Sequence, residues 1–109
     1  MEISGLIIEV TPKYIQNMSK LSRAGKDILL VSQFILAQGE NKILVDLSYP
    51  LVQKICKICE IVISKDKYRK GIKELEELQI LTNIENNSYK LCDIFSYVSI
   101  GNLEPVTEK

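Results

Sequence analysis

The residues best suited to covalent or metal chemistry in this chain are few, and their spacing is poor for it. None of the 109 residues is a histidine, so Ser-His-Asp and Cys-His nucleophile systems cannot be assembled. Cys56-x-x-Cys59 has the spacing of a metal or redox motif, and Cys92 is the only further cysteine. A structural zinc needs four ligands, and this set cannot be completed from thiolate and imidazole. On a helix Leu51, Val52, Ile55, Cys56 and Cys59 share a face, so both thiols of the pair are expected in the core. An odd number of cysteines also argues against a disulfide framework. Gly25-Lys26-Asp27 lacks both the upstream glycine and the Ser/Thr of a phosphate loop. Glu74 and Glu77 share a helical face, but side by side on an exposed helix they are expected to be solvated rather than an acid/base pair. The expectation is a non-enzyme with no cofactor, no metal and no evident small-molecule substrate.

The informative chemistry is cationic. From Ser64 to Lys73 five bases (Lys65, Lys67, Arg69, Lys70, Lys73) stand against Asp66, a net +4, while Glu74 to Glu85 carries four acids and no base, a net −4. A helix that enters the DNA major groove with its N-terminal turns leading needs cations at that end, where phosphates and guanine edges lie. The plainer reading is a solvated helix whose Lys70–Glu74 and Lys73–Glu77 pairs add about 0.2–0.5 kcal/mol each.

The elements that would position these cations can be read outward from Ser64. Its hydroxyl suits an N-cap, with Asp66 in the first turn, so a helix starts near Lys65. Tyr68, Ile72, Leu75 and Leu78 give it one stripe to bury. Behind it, Leu81–Glu85 and Tyr89–Cys92 are candidate strands around Asn86-Asn87-Ser88, residues that tolerate positive φ in a tight turn. Ahead of it, Ser48-Tyr49-Pro50 opens a helix running to about Glu60, and Ile61-Val62-Ile63 makes a short apolar connection expected to be buried.

Farther upstream, Leu6 to Val10 is β-branched and ends at Thr11-Pro12, which suits an N-cap and first position for a short helix carrying Tyr14, Ile15 and Met18. That terminal strand either folds back on the chain's own sheet or pairs with a second copy. Ser22 caps a clearer helix, Arg23 to Gln38, with Ile28, Leu29, Val31, Ser32, Ile35 and Leu36 as its apolar stripe and Gly39 ending it. Lys42–Leu47 is a short strand that would pair with the hairpin. The order predicts an α+β fold, a winged helix-turn-helix with a three-helix core, a small antiparallel sheet and a β-hairpin wing. Residues 1–18 would form a strand and short helix on the domain, 19–100 the winged helix-turn-helix itself, and 101–109 a loose tail.

Composition agrees with one domain: 46% hydrophobic and 26% charged residues, with zero net charge. Zero net charge excludes a generally basic coat protein and leaves a local patch to bind with. No run approaches the roughly eighteen apolar residues a transmembrane helix needs, and the acidic start is unlike a signal peptide, so a cytoplasmic protein without membrane contact is expected.

The segment S-K-D-K-Y-R-K-G-I-K-E-L-E-E-L-Q-I-L, its hairpin and the following Asp93-Ile94-Phe95 resemble the recognition helix and wing of winged-helix proteins of the plasmid replication RepL type. There a cap serine leads into a basic turn, a small residue, I-K-E-L and a closing aliphatic pair. The likeness spans roughly residues 6 to 96. It implies that Tyr68 and Ile72 are core, that Gly71 permits close helix packing, and that Lys67, Arg69, Lys70 and Lys73 face DNA. Two features depart from the pattern. Ser96 to Ile100 is apolar enough for a further strand or dimer segment, and the wing carries Asn86, Asn87 and Lys90 but no arginine, which weakens any minor-groove insertion. A nicking initiator of rolling-circle replication would need the histidines this chain lacks.

Together these features predict a sequence-specific protein for double-stranded DNA, a homodimer on a two-fold site, acting in plasmid or phage replication initiation or in transcriptional control. Its contacts would be Ser64, Lys65, Lys67, Arg69, Lys70, Lys73, Asn86, Asn87 and Lys90, with Arg69 placed for bidentate guanine readout. The rival expectation is a winged-helix protein–protein adaptor without DNA binding, using an apolar patch of Phe95, Tyr97, Val98 and Ile100. A thiol sensor built from Cys56, Cys59 and Cys92 is the third, and it requires an accessible thiol of lowered pKa.

Overall fold

The computed structural model describes residues 6–8, 10–38, 44–91 and 97–99, the first and last of these segments as backbone. The expected readings that fall on Gly39, Lys42, Cys92, Phe95, Ile100 and the 101–109 tail lie outside the described residues, as do those on the side chains of Tyr97 and Val98.

The protein is α+β: the described residues form four helices and a small three-stranded antiparallel sheet, besides a separate strand pair. Thr11 caps helix α1 (Pro12–Lys20), its Oγ1 accepting from Tyr14 N at 3.1 Å, with Pro12 opening the first turn. Helix α2 (Arg23–Gln38) is the centre of the core, and Ile28, Leu29, Val31 and Leu36 are almost fully buried along it. Helix α3 (Tyr49–Ile58) packs Val52, Ile55 and Cys56 inward. Helix α4 (Lys65–Glu77) starts at the Ser64 cap, whose Oγ accepts from Lys67 N at 3.1 Å, and buries Ile72 and Leu75. Full burial of a side chain such as Leu75 contributes about 1.5–3 kcal/mol.

The sheet runs β2 (Leu44–Asp46), β4 (Ser88–Leu91), β3 (Leu81–Glu85), so the second arm of the hairpin is its central strand. Val45 stands opposite Tyr89 and Asn83 opposite the same residue, which puts Val45, Tyr89 and Leu91 on the side facing the helices. Leu44, Thr82 and Lys90 face outward. A separate pair, β1 (Leu6–Ile8) with β5 (Tyr97–Ser99), is also antiparallel, so the N-terminal strand pairs within its own chain.

Helices α3 and α4 end in the same way. The N–H of Ile61 donates to Cys56 O at 2.8 Å and that of Glu60 to Lys57 O, and Ile80 and Gln79 repeat the pattern on Leu75 and Glu76. These are paired 6→1 and 5→2 bonds around a left-handed residue, Glu60 (φ 60°) and Gln79 (φ 61°), positions that usually carry glycine. Helix α3 therefore stops at Ile58, short of the expected Glu60, and Cys59 is turned out to solvent as its C-cap. That corrects the expectation that both thiols of the pair are core: Cys56 is buried and Cys59 is exposed. The connection is corrected too, because Val62 is 85% exposed while Ile61 and Ile63 are half-buried against the core.

Among the described residues no helix is long and apolar enough to cross a membrane.

Candidate nucleic-acid interface

Helix α4 is held against α2 by three contacts along one line of the helix. At its centre, Gly71 lies so close to α2 that an added Cβ would fall 2.4 Å from Ile28 Cγ1 and 2.6 Å from Ala24 O, so the close helix packing expected of Gly71 is present. One turn earlier, Lys67 Nζ is 2.7 Å from Asp27 Oδ2 and donates to Val62 O at 2.6 Å. One turn later, Glu74 accepts from Ser22, with Oε1 3.0 Å from the backbone N and Oε2 2.7 Å from Oγ.

The Glu74 contact completes a cap that the local sequence omits. In a capping box the third helical residue is a Glu or Gln that reaches back to the N–H of the cap residue. Here that third residue is Gly25, and a Cβ on it would lie 2.5 Å from Glu74 Oε1. Glu74 thus supplies from α4 the carboxylate that α2 lacks, and its charge also suits the positive end of α2. Ser22 stands where the cap was expected, since its carbonyl accepts from Lys26 N, yet its hydroxyl serves Glu74.

Two expected roles change as a result. Lys67 was expected to face DNA, but its side chain is only 22% exposed and its ammonium is bound to Asp27 and Val62. Glu74 was expected to be solvated, but it is half-buried and bound to Ser22. Among the described residues neither Lys70–Glu74 nor Lys73–Glu77 forms an ion pair; the two present are Lys67–Asp27 and a long Arg23–Asp27 contact at 3.9 Å.

The other face of α4 is open. Lys65, Arg69, Lys70 and Lys73 are exposed, together with Asp66, Glu76 and Glu77. With Lys67 withdrawn, the leading turns show four cations against Asp66. Lys65 Nζ stands 5.8 Å from the centre of the Tyr49 ring, and Tyr49 meets the Tyr68 ring edge-on at 5.0 Å. Tyr68 donates its hydroxyl to Leu47 O at 2.6 Å, which ties the first turn of α4 to the end of β2. It is packed on the core with Ile72, as expected for both.

The hairpin is firmly built at its tip. Asn86 takes the left-handed conformation (φ 49°), and Asn83 Nδ2 donates to Asn86 O at 3.0 Å and to Ser88 O at 3.4 Å. Asn87 O accepts from Leu47 N at 2.8 Å. Asn86, Asn87 and Lys90 are all exposed, the first two at the tip and Lys90 on the outer face of the central strand. Asn83 was not among the expected functional residues, and its role is to fix the turn.

Burial raises the pKa of the Cys56 thiol, with Lys67 pulling it part of the way back. That is the reverse of a reactive thiol. Burial likewise raises Tyr68, reinforced by Tyr89 and Asp46, and raises Tyr89, reinforced by Glu76. Among the described residues no group of three or more His, Cys, Asp or Glu side chains could hold a metal ion.

No protein-family model matches this chain, and no significant match is found among curated proteins or solved structures.

Proposed function

We propose that the protein is a winged-helix protein that binds double-stranded DNA through the exposed face of α4, with α3 and α4 as the helix-turn-helix and β3–β4 as the wing. The observation that carries this reading is the division of α4: Lys67 and Glu74 are consumed by α2, while Lys65, Arg69, Lys70 and Lys73 remain exposed over its leading turns. The exposed cations account for phosphate contact, and Arg69 can present two parallel N–H groups to a guanine edge. Asn86, Asn87 and Lys90 give the wing polar contacts to the backbone. The resemblance to RepL-type proteins suggests replication initiation or transcriptional control, on a two-fold site that a homodimer would read. On this reading the protein is not an enzyme and acts in the cytoplasm.

The test is fluorescence anisotropy with duplex DNA at two salt concentrations. Arg69→Ala with Lys70→Ala should weaken binding and reduce the slope of log K against log salt by about 1 for each phosphate that these two side chains neutralise. Unfolding free energies should stay within about 0.5 kcal/mol of the parent. Unchanged binding in the double variant would remove the assignment.

A protein–protein adaptor is the second reading, favoured by Leu30 and Phe34, which are about half exposed on α2. It predicts no DNA affinity even at low salt.

A further inference from the structure

Among the described residues Val62 is the most exposed of the large apolar side chains, at 85%, although both of its chain neighbours are packed on the core. It is therefore presented to solvent by a fixed backbone rather than left on a loose loop. Three contacts fix it. Ile61 N donates to Cys56 O at 2.8 Å and closes the end of α3. The Val62 carbonyl accepts from the Lys67 ammonium at 2.6 Å, and that ammonium is itself held by Asp27. Two residues further on, the Ser64 cap starts α4. A β-branched side chain on such a backbone has few rotamers to lose on binding. Three residues further along the chain α4 begins with Lys65, at the positive pole of the helix. An exposed isopropyl group on a fixed backbone that leads directly into the cationic start of α4 is suited to an apolar contact on a base edge, and thymine alone presents a methyl group in the major groove.

We propose that Val62 reads a thymine 5-methyl group at the edge of the α4 contact, so that the preferred half-site carries a thymine there. This rests on the DNA-binding reading above and adds a specificity determinant to it. Burial of one methyl group corresponds to about a fourfold gain in affinity.

The probe is a duplex enriched by binding-site selection from random DNA, synthesised with deoxyuridine in place of each thymidine in turn. That change removes the methyl group and leaves base pairing intact. Wild-type protein should bind about fourfold more weakly at one position per half-site. Val62→Ala should bind the thymidine duplex about as weakly as wild type binds the deoxyuridine duplex, and should itself be insensitive to that replacement. A circular-dichroism melt of Val62→Ala matching the parent confirms that the variant is folded. Deoxyuridine without effect at every position, or an equal reduction in wild type and Val62→Ala, overturns the inference and leaves DNA binding standing. Failure of any duplex to enrich, with no affinity at low salt, removes both.

Discussion

Helix α4 carries two rows of side chains of similar chemistry and opposite fate. Lys67, Gly71 and Glu74 form one row and meet α2; Lys65, Arg69 and Lys73 form the other and meet solvent. Charge and spacing do not distinguish Lys67 from Lys70 or Glu74 from Glu77. The difference is what stands opposite: Asp27, only 9% exposed, for Lys67, and an uncapped helix start for Glu74. A charged residue on an amphipathic helix is thus structural or available according to its partner on another element, and only the available ones can serve a ligand.

The comparison is broken most severely at Gly71. Gly71→Ala would gain helix propensity but must displace the backbone at Ala24, so a net destabilisation of about 2 kcal/mol is expected, measured by urea unfolding. A neutral or stabilised variant would mean that α2 and α4 are not so closely packed. Next is Lys67→Met, which leaves Asp27 without its closest cation. The pair is partly open to solvent, so about 1–2 kcal/mol is expected rather than the 3–5 typical of a fully buried pair. Asp27→Leu combined with Lys67→Met should recover most of that stability, whereas Arg69→Met should cost nothing measurable. Glu74→Gln keeps one acceptor for Ser22 but removes the charge, for a cost of about 1 kcal/mol. That cost should shrink when Ser22 is already alanine, which removes the hydroxyl bond, but not vanish, because the backbone N–H of residue 22 still donates to the same side chain. The smallest effect has the opposite sign. Gln79→Gly and Glu60→Gly relieve left-handed strain outside the row and should each raise stability by about 0.5–1 kcal/mol in a thermal melt.

Much of this architecture can be read from local sequence, and the reasons are local. Ser64, Thr11-Pro12 and the Asn86-Asn87 turn each specify a backbone conformation within a few residues, and α2 and the start of α4 fall where caps and apolar spacing put them. The pairing of the 44–46 strand with the hairpin also follows from element order. The features that escape a reading of the sequence depend on groups brought together from a distance. Ser22 and Glu74 are 52 positions apart, and nothing near either residue announces the other. The missing Glu at Gly25 is a usable clue, since a serine cap without its third-residue partner leaves an N–H to be satisfied from elsewhere. The run Ile61-Val62-Ile63 sends Val62 to the interior, because three large apolar residues in a row are costly to expose. Apolar spacing sends Cys59 there, because it carries the helix on to Glu60. Left-handed Glu60 ends it instead, and glutamate gives no signal for that conformation. Among the expected interface residues, spacing and charge locate the cationic turns of α4 but cannot separate Lys67 from its neighbours.

The placement of β4 between β2 and β3 bears on how the chain is made. The 44–46 strand finds its partner only at Ser88–Lys90, after α3, α4 and the first hairpin arm have all been synthesised. In a nascent chain halted before Ser88, β2 has no partner strand, so both of its edges are open to pairing with other chains. The strand that closes the sheet thus acts as a latch on everything the ribosome has delivered between residues 44 and 85.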